Sequence, residues 1–191
     1  MKMDDQKEAR RPFLNGQRIY LRLIEEADVN EEYIRWLNDS EVTHYMETGR
    51  FPSTQESIRK YLDRFHNDGI ANVIFAIVDR GTNQHIGNVT LNRINWIHRT
   101  ADTGLMLGRK DCWGKGYAHE AWSLLLDYAF HRLGLRKIIA GAIGNHVTSL
   151  AVLGKLGFRM EGTLRQEVFV DGAYRDVIRM GLFREEFQRQ H

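Results

Sequence analysis

The sequence contains a single cysteine, Cys112, and only two prolines among its 191 residues. One cysteine cannot form an intrachain disulfide, which favours the reducing environment of the cytoplasm. No run approaches the ~18 consecutive apolar residues of a membrane-spanning helix, and the charged first eleven residues lack the apolar segment of a secretory signal. We therefore expect a cytoplasmic protein that does not enter a membrane.

Neither sign of charge predominates, since 27 Lys and Arg residues face 25 Asp and Glu residues. This balance gives no reason to expect a nucleic-acid partner. Hydrophobic residues make up 42% of the chain, which is enough for a packed core, and domains average ~150 residues. We predict a flexible N-terminal arm over residues 1–12 and a single domain over 13–191.

The hydrophobic pattern predicts an α+β fold, mixed in order along the chain. Alternation predicts seven strands, at residues 18–24, 72–78, 85–91, 100–107, 137–143, 158–170 and 174–183. Helical spacing predicts two helices that begin at the capping boxes Asp28/Glu31 and Ser53/Glu56, and two more at 117–133 and 148–155. The hairpins predict a mostly antiparallel, seven-stranded sheet flanked by about four helices.

The segment from Trp113 to Ala118 places two glycines and a lysine at the start of a predicted helix. Exposed N–H groups and the positive end of the helix dipole make such a turn suitable for an anion. It is not a Walker A loop, because Lys115 is followed by Gly116, and His119 stands where a dinucleotide fingerprint needs its third glycine. An ordinary glycine-rich connection would explain the same residues.

Metal and thiol chemistry find little support in the sequence. The histidines, including that of His119-Glu120, do not show the spacing of metal ligands, so we predict no metal site. Cys112 lies in the glycine-rich loop, but no base can be assigned to it. We interpret it as a small structural side chain.

Four motifs occur in the order typical of the GNAT N-acetyltransferase superfamily. They are Leu105-Met-Leu-Gly108, Gly114-Lys-Gly-Tyr-Ala-His-Glu-Ala121, Lys155-Leu-Gly-Phe158 and Asp171-Gly-Ala-Tyr-Arg-Asp176. Residues 17–184 most resemble the branch that contains ribosomal-protein N-terminal acetyltransferases and related small-amine and amino-sugar acetyltransferases. The resemblance implies the twisted GNAT sheet and acetyl-CoA as co-substrate.

The resemblance also implies which residues bind the co-substrate. They are Met106, Leu107, Gly108, Trp113, Gly114, Lys115, Gly116, Tyr117, Ala118, Asn145, Ser149 and Lys155. Asp111 replaces the cationic or amide side chain that usually begins the loop, which leaves the diphosphate to backbone N–H groups with Lys115 or Arg109. Asn145 and Ser149 are four residues apart instead of the family's three, so either a bulge keeps Asn145 in place or His146 substitutes for it.

Acetyl transfer to an amine needs a general base and a proton donor for the thiolate. Leu153 occupies the position of the tyrosine that many members use as the acid, so the resemblance suggests Ser149, whose hydroxyl could instead cap a helix. Asp102 is the first candidate for the base, although a solvated strand-edge carboxylate is the alternative. Glu167 is the second candidate and lies one residue off register, which would place Val168 on the catalytic side.

Residues 36–47, between the first two helices, border the acceptor pocket in this fold. Their carboxylates Asp39, Glu41 and Glu47 would favour a cationic amine, with Tyr45 as an aromatic wall, although a solvated turn explains the same charges. We predict an N-acetyltransferase that acts on a protein N-terminal amine. The alternatives are a small amine, such as a nucleotide-linked amino sugar or a polyamine, and a non-catalytic acyl-CoA-binding regulator. The sequence leaves a homodimer open.

Overall fold

The computed structural model describes residues 11–67 and 71–188. All but two residues of the predicted N-terminal arm therefore lie outside the described residues. In the described part, eight strands form one sheet: β1 (Leu14–Asn15), β2 (Ile19–Leu23), β3 (Val73–Asp79), β4 (His85–Asn95), β5 (Thr100–Leu107), β6 (Lys137–Ile143), β7 (Arg159–Val170) and β8 (Ala173–Phe183). The four α-helices are α1 (Glu31–Asn38), α2 (Gln55–Asn67), α3 (Tyr117–Asp127) and α4 (Val147–Lys155).

The predicted α+β fold with a mostly antiparallel sheet is confirmed. The strand order is β1-β2-β3-β4-β5-β6-β8-β7, and β5 and β6 form a parallel pair while the others are antiparallel. The seven predicted strands are all present. The additional strand β1 has two residues, too few to produce an alternating pattern.

Helix α1 begins at a different residue from the one predicted. Asn30 is its N-cap, and the Asn30 side chain accepts a hydrogen bond of 3.0 Å from the N–H of Tyr33. Asp28, the predicted cap, is buried and accepts two hydrogen bonds of 2.7 Å from Arg22. The prediction was wrong because a buried arginine, which the local pattern does not reveal, takes this carboxylate.

The predicted cap of helix α2 is also wrong, by one residue. Thr54 and Ser57 exchange hydrogen bonds between the backbone N–H of each and the hydroxyl of the other, at 2.9 and 3.2 Å. The N–H of Ser53 instead donates to the side chain of Asn38 at 2.8 Å. Ser53, two residues before α2, is thus hydrogen-bonded to Asn38, the last residue of α1.

The predicted helix 117–133 is not α-helical throughout. Its α-helical part ends at Asp127, and one π-helical turn, Tyr128–Arg132, follows. Gly134 then has a φ of +69°, which is the left-handed conformation of a glycine that ends a helix. Gly134 thus terminates the helix.

The helices pack on both faces of the sheet. Apolar side chains of α3 and α4, such as Leu125 and Leu153, form the larger core with Ile138 and other strand residues. Trp36 of α1 and Leu62 of α2 form a second core on the opposite face. The central strands of the sheet are therefore covered on both faces, as in a three-layer α+β domain, whereas β7 is mostly exposed.

The two central strands diverge within the sheet. β5 and β6 pair from Thr100–Asp102 to Lys137–Ile139. Beyond Asp102, β5 remains paired only with β4, and β6 only with β8. The backbone edges of residues 103–107 and 140–143 therefore face a wedge that separates them. Since the loop before α3 follows β5 directly, this wedge leads to the glycine-rich segment.

Candidate active site and cofactor loop

The loop between β5 and α3 has the geometry of an anion site. Gly116 is the N-cap of α3 with a φ of +82°, and Gly114 has a φ of +70°. L-residues with side chains rarely adopt these angles, which explains the two glycines. A Cβ on Gly114 would have no atom within 4 Å, so space is open on that side of the loop. The N–H groups of the first helical turn are thus presented without a capping side chain.

Arg18, the residue before β2, lies directly against this loop. Its Nη1 donates to the carbonyl oxygen of Lys115 at 2.6 Å, and its Nε donates to Glu120 at 3.0 Å. The guanidinium carbon also lies 5.1 Å from the centroid of the Tyr117 ring. Sequence reasoning missed Arg18 as a site residue, because the alternating pattern identified it only as the first residue of a strand.

The other charged residues of the loop are mostly paired with each other. Arg109 donates to both carboxylate oxygens of Asp111, at 3.1 and 2.9 Å, and also to Gln84. The hydrogen bond from Arg109 lowers the pKa of Asp111. The side chain of Lys115 is exposed and makes no hydrogen bond to any residue in the described ranges. Arg109 is therefore engaged by Asp111, and Lys115 is the cation that extends from the loop.

The end of β5 contributes backbone to the wedge. The Met106 side chain is buried against α1 and α2, while Leu107 is partly buried against the other core. The carbonyl of Leu107 accepts a hydrogen bond of 2.9 Å from the indole of Trp113. Gly108 must be glycine, since a Cβ there would overlap the ring of Trp36. These contacts hold the strand end rigidly beside the loop.

The turn before α4 contains the two residues that the spacing left as alternatives, Asn145 and His146. His146 is the N-cap residue of α4 and Ser149 follows three residues later in the first turn, whereas exposed Asn145 precedes the cap. Substitution of His146 for the family's asparagine stays a prediction, and Asn145 stays the alternative. Burial and, to a smaller extent, the charge of His44 lower the pKa of His146, which favours its neutral form.

Ser149 and Lys155 lie at opposite ends of α4. Ser149 is half-buried, and its hydroxyl forms no hydrogen bond within the part of the chain that the structure describes. It therefore does not cap the helix. Lys155 is in the last turn. Burial, followed by the charges of Lys155 and Arg18, lowers the pKa of His119 in the first turn of α3. Leu153 is 1% exposed, so the position of the usual tyrosine is filled by core packing.

The two candidate bases differ in their surroundings. Asp102 stands at the last paired position between β5 and β6, where the wedge begins, and it binds Arg93. Glu167 is exposed and lies in an irregular part of β7, where the register shifts between Leu164 and Val168. Val168 rejoins the ladder and is half-buried. The geometry thus places Asp102 at the wedge and Glu167 at the surface.

The segment between α1 and α2, residues 39–54, contains the predicted acidic residues. Lys110 lies 2.8 Å from Asp39 and 2.6 Å from Glu41. The hydrogen bond from Lys110 lowers the pKa of Asp39, so both carboxylates already bind an ammonium group. Glu47 is exposed. A cavity of about 240 Å³ separates this segment from residues 169–171 of the β7–β8 hairpin.

Cys112 is 7% exposed and belongs to the larger core. Burial, together with the charge of Asp111, raises the pKa of its thiol. The thiolate is therefore disfavoured, which agrees with a packing role. The described ranges contain no group of three or more side chains that could hold a metal ion, and none of their helices is long and apolar enough to cross a membrane.

A wedge between two parallel strands that leads to a helix N-terminus with uncapped N–H groups suits a ligand that joins an extended arm to an anionic group, as an acyl-CoA does. The chain belongs to the GNAT acetyltransferase domain family, which matches residues 18–159. It is an N-acetyltransferase that uses acetyl-CoA. The resemblance seen in the sequence is thereby confirmed at the level of the superfamily.

Several named proteins are similar to this chain. It is 34% identical to the uncharacterized N-acetyltransferase p20 of Bacillus licheniformis over 178 residues, covering 91% of this chain and 97% of that protein. The spermidine N-acetyltransferase of Vibrio cholerae, solved in complex with CoA and spermine, is 27% identical with a TM-score of 0.80, covering 90% of this chain and 98% of that one. The putative ribosomal N-acetyltransferase YdaF of Bacillus subtilis is 32% identical over 103 residues, or 53% of this chain and 55% of that protein.

Proposed function

We propose that this N-acetyltransferase transfers its acetyl group to a primary amine of a small polyamine. The observation that carries the proposal is the match of nearly the whole chain to a structure that contains CoA and spermine. The charges of the segment 39–54 support it, because Asp39 and Glu41 together bind an ammonium group, that of Lys110. A polyamine presents several such groups.

A protein N-terminal amine, the acceptor predicted from the sequence, is the second candidate. The similarity to a putative ribosomal N-acetyltransferase supports it over about half of the chain. An N-terminal peptide carries a single ammonium group at its end, so it gains less from a pair of carboxylates than a polyamine does. A nucleotide-linked amino sugar as the acceptor stays a prediction that rests on the sequence alone.

We assign diphosphate binding and the proton transfers to residues predicted from the sequence. Acetyl-CoA supplies the activated acetyl group, and the N–H groups at Gly116 and the first turn of α3 would bind its diphosphate with Lys115. Asp102 would take a proton from the acceptor ammonium, which leaves the amine free to attack. The amine nitrogen would form the new C–N bond at the acetyl carbonyl as the C–S bond to CoA breaks. Ser149 would pass its hydroxyl proton to the departing thiolate and take up in turn the proton that the nitrogen loses as the amide forms. Glu167 is the second candidate for the base.

Turnover of three acceptors tests the proposal. Purified protein is incubated with acetyl-CoA and either spermidine, a peptide with a free N-terminus or a nucleotide-linked amino sugar, and thiol release and product mass are followed. We expect kcat/KM for spermidine to exceed that for the peptide by at least ~10-fold, about 1.4 kcal/mol. A preference for the peptide would establish the second candidate instead. Tight CoA binding without turnover of any amine would indicate the non-catalytic regulator.

Lys110 offers a more specific test of the acceptor. Lys110→Gln releases Asp39 and Glu41, so KM for spermidine should fall several-fold while KM for the peptide changes little. Lys60→Gln is the matched control, because Lys60 forms an exposed ion pair with Glu56 on α2. An unchanged KM for spermidine would show that the two carboxylates do not contact the acceptor.

A further inference from the structure

Three residues connect the start of β2 to the start of α3, and we call Arg18, Lys115 and Glu120 the loop clamp. The carboxylate of Glu120 is 15% exposed and accepts hydrogen bonds from the Arg18 N–H at 2.8 Å and the Arg18 Nε at 3.0 Å. The same guanidinium donates to the Lys115 carbonyl at 2.6 Å. Arg18 is thus held between two acceptors on either side of the helix N-cap.

The clamp determines the direction of the peptide bond between Lys115 and Gly116. In a planar trans peptide, the C=O and N–H bonds point in opposite directions. Because Arg18 holds the carbonyl of Lys115, the N–H of Gly116 points away from Arg18. This is the N–H of the N-cap residue of α3, adjacent to the first-turn donors of an anion site.

The loop that the clamp holds lacks a side chain that is usual in the family. Asp111 occupies the position of the usual cationic or amide side chain and is paired with Arg109. The Arg18 side chain is 50% exposed, and Tyr117 lies against its guanidinium. A well-oriented set of N–H groups therefore has to replace a side-chain contact, and such a set binds an anion well only when its donors are preorganised.

We infer that Arg18 is a positioning residue for the CoA diphosphate: it orients the N–H groups at Gly116 and the α3 N-terminus toward the phosphates. The inference rests on the CoA donor of the proposed function and does not depend on the acceptor amine. Its effect is confined to the diphosphate end of the co-substrate. The pantetheine arm, which lies along the wedge in the proposed arrangement, should not depend on Arg18.

Competition binding tests this inference. A fluorescent CoA is displaced from wild-type and Arg18→Gln protein by unlabelled CoA and, separately, by pantetheine, which has the same arm and no diphosphate. We expect Arg18→Gln to raise Kd for CoA by about 10-fold, or about 1.4 kcal/mol, and to leave the Kd for pantetheine within about twofold. Arg99→Gln is the control, since Arg99 is exposed in the turn before β5, a full strand away from the loop.

Glu120→Gln separates positioning from direct charge. Its amide oxygen can still accept the backbone N–H of Arg18, whereas its NH₂ cannot accept from the guanidinium. If Arg18 acts by positioning, this variant also weakens CoA binding. If Arg18 acts only as a charge, removal of a nearby carboxylate strengthens binding, which would overturn the inference. Equal losses for CoA and pantetheine in Arg18→Gln, or no loss for either, would overturn it as well.

Discussion

The ring of Tyr45 stacks on the imidazole of His146, with ring centroids 4.1 Å apart and planes 16° apart. This contact joins the segment between α1 and α2 to the turn before α4. On the other side, His44 lies 3.3 Å from Asp171 at the tip of the β7–β8 hairpin. The segment therefore bridges the region that we assign to the acceptor.

We expect Tyr45→Ala to raise KM for the acceptor amine by about 10-fold, because the aromatic wall and the bridge are lost together. CoA affinity, measured by calorimetry, should remain within about twofold of wild type. Phe51→Ala is the control, since Phe51 is an aromatic residue of the same segment that is 83% exposed. A change of CoA affinity larger than the change of KM would place Tyr45 at the cofactor side instead.

Gly116→Asp should lower CoA affinity by at least ~10-fold, about 1.4 kcal/mol. The carboxylate would repel the diphosphate, and a Cβ would lie 3.1 Å from Nη2 of Arg18. Because a residue with a side chain rarely adopts a φ of +82°, the substitution should also lower the free energy of unfolding by about 1 kcal/mol. Gly134→Asp is the control for the backbone cost. Gly134 has a similar φ of +69°, and a Cβ there would have no atom within 4 Å. Equal CoA affinities in the two variants would contradict a diphosphate site at Gly116.

Ser149→Ala should reduce kcat by roughly 10²-fold while CoA affinity is nearly kept, as expected when a general acid is removed. The position of Ser149 in the first turn of α4 motivates this prediction. Thr148→Ala removes the neighbouring exposed hydroxyl and should change little. Steady-state kinetics at saturating acetyl-CoA measure both variants. An unaltered kcat in Ser149→Ala would assign the proton to water or to His146.

Asp102→Asn should lower kcat/KM by about 10²-fold at neutral pH, where the acceptor is an ammonium that needs a base. Activity should partly recover toward pH ~10, because a primary amine then loses its proton without help. Glu167→Gln, in an exposed part of β7, should have a much smaller effect. If Glu167→Gln gives the large loss and Asp102→Asn keeps the wild-type pH profile, the base is Glu167.

His85 should make the protein less stable in mild acid. Its Nε2 lies 2.9 Å from the carbonyl of Gly87 and 2.8 Å from the side chain of Asn88. Burial lowers the pKa of His85 even though Asp28 opposes the shift. The folded state therefore resists protonation, and the stability present at pH 7 is lost as the pH falls below ~6.5, where an unfolded histidine binds a proton.

Urea unfolding between pH 7.5 and pH 5 measures this effect. The slope of the free energy of unfolding against pH should be smaller in His85→Gln than in wild type. Asp28 does not contribute in this window. Burial by itself would raise the pKa of Asp28, but the hydrogen bond from Arg22, the charge of His85 and the backbone N–H of Glu25 together outweigh burial and lower the pKa. The contribution of Asp28 to stability is therefore lost only in stronger acid. An identical slope in both proteins would exclude His85 as the group that titrates.

The local sequence pattern determined most of the elements and the position of the cofactor loop. The strands at 100–107 and 137–143 and the turn at Asp171-Gly172, with φ of +53° and +72°, follow from alternation and from the needs of a type I′ turn. The glycines at 114 and 116 mark an anion site for a similar reason. Such features depend on neighbours within a few residues, and therefore the sequence displays them.

The tertiary structure alone decided which charges meet. Lys110 binds Glu41 across 69 residues of chain, and Asp28 pairs with buried Arg22 instead of capping α1. Arg18 reaches the carbonyl of Lys115 across 97 residues. The longer of these pairings arise because the order of the strands brings β2 beside α3 and the α1–α2 segment beside the cofactor loop. No periodicity within one element encodes that proximity, so it emerges only when the sheet is assembled.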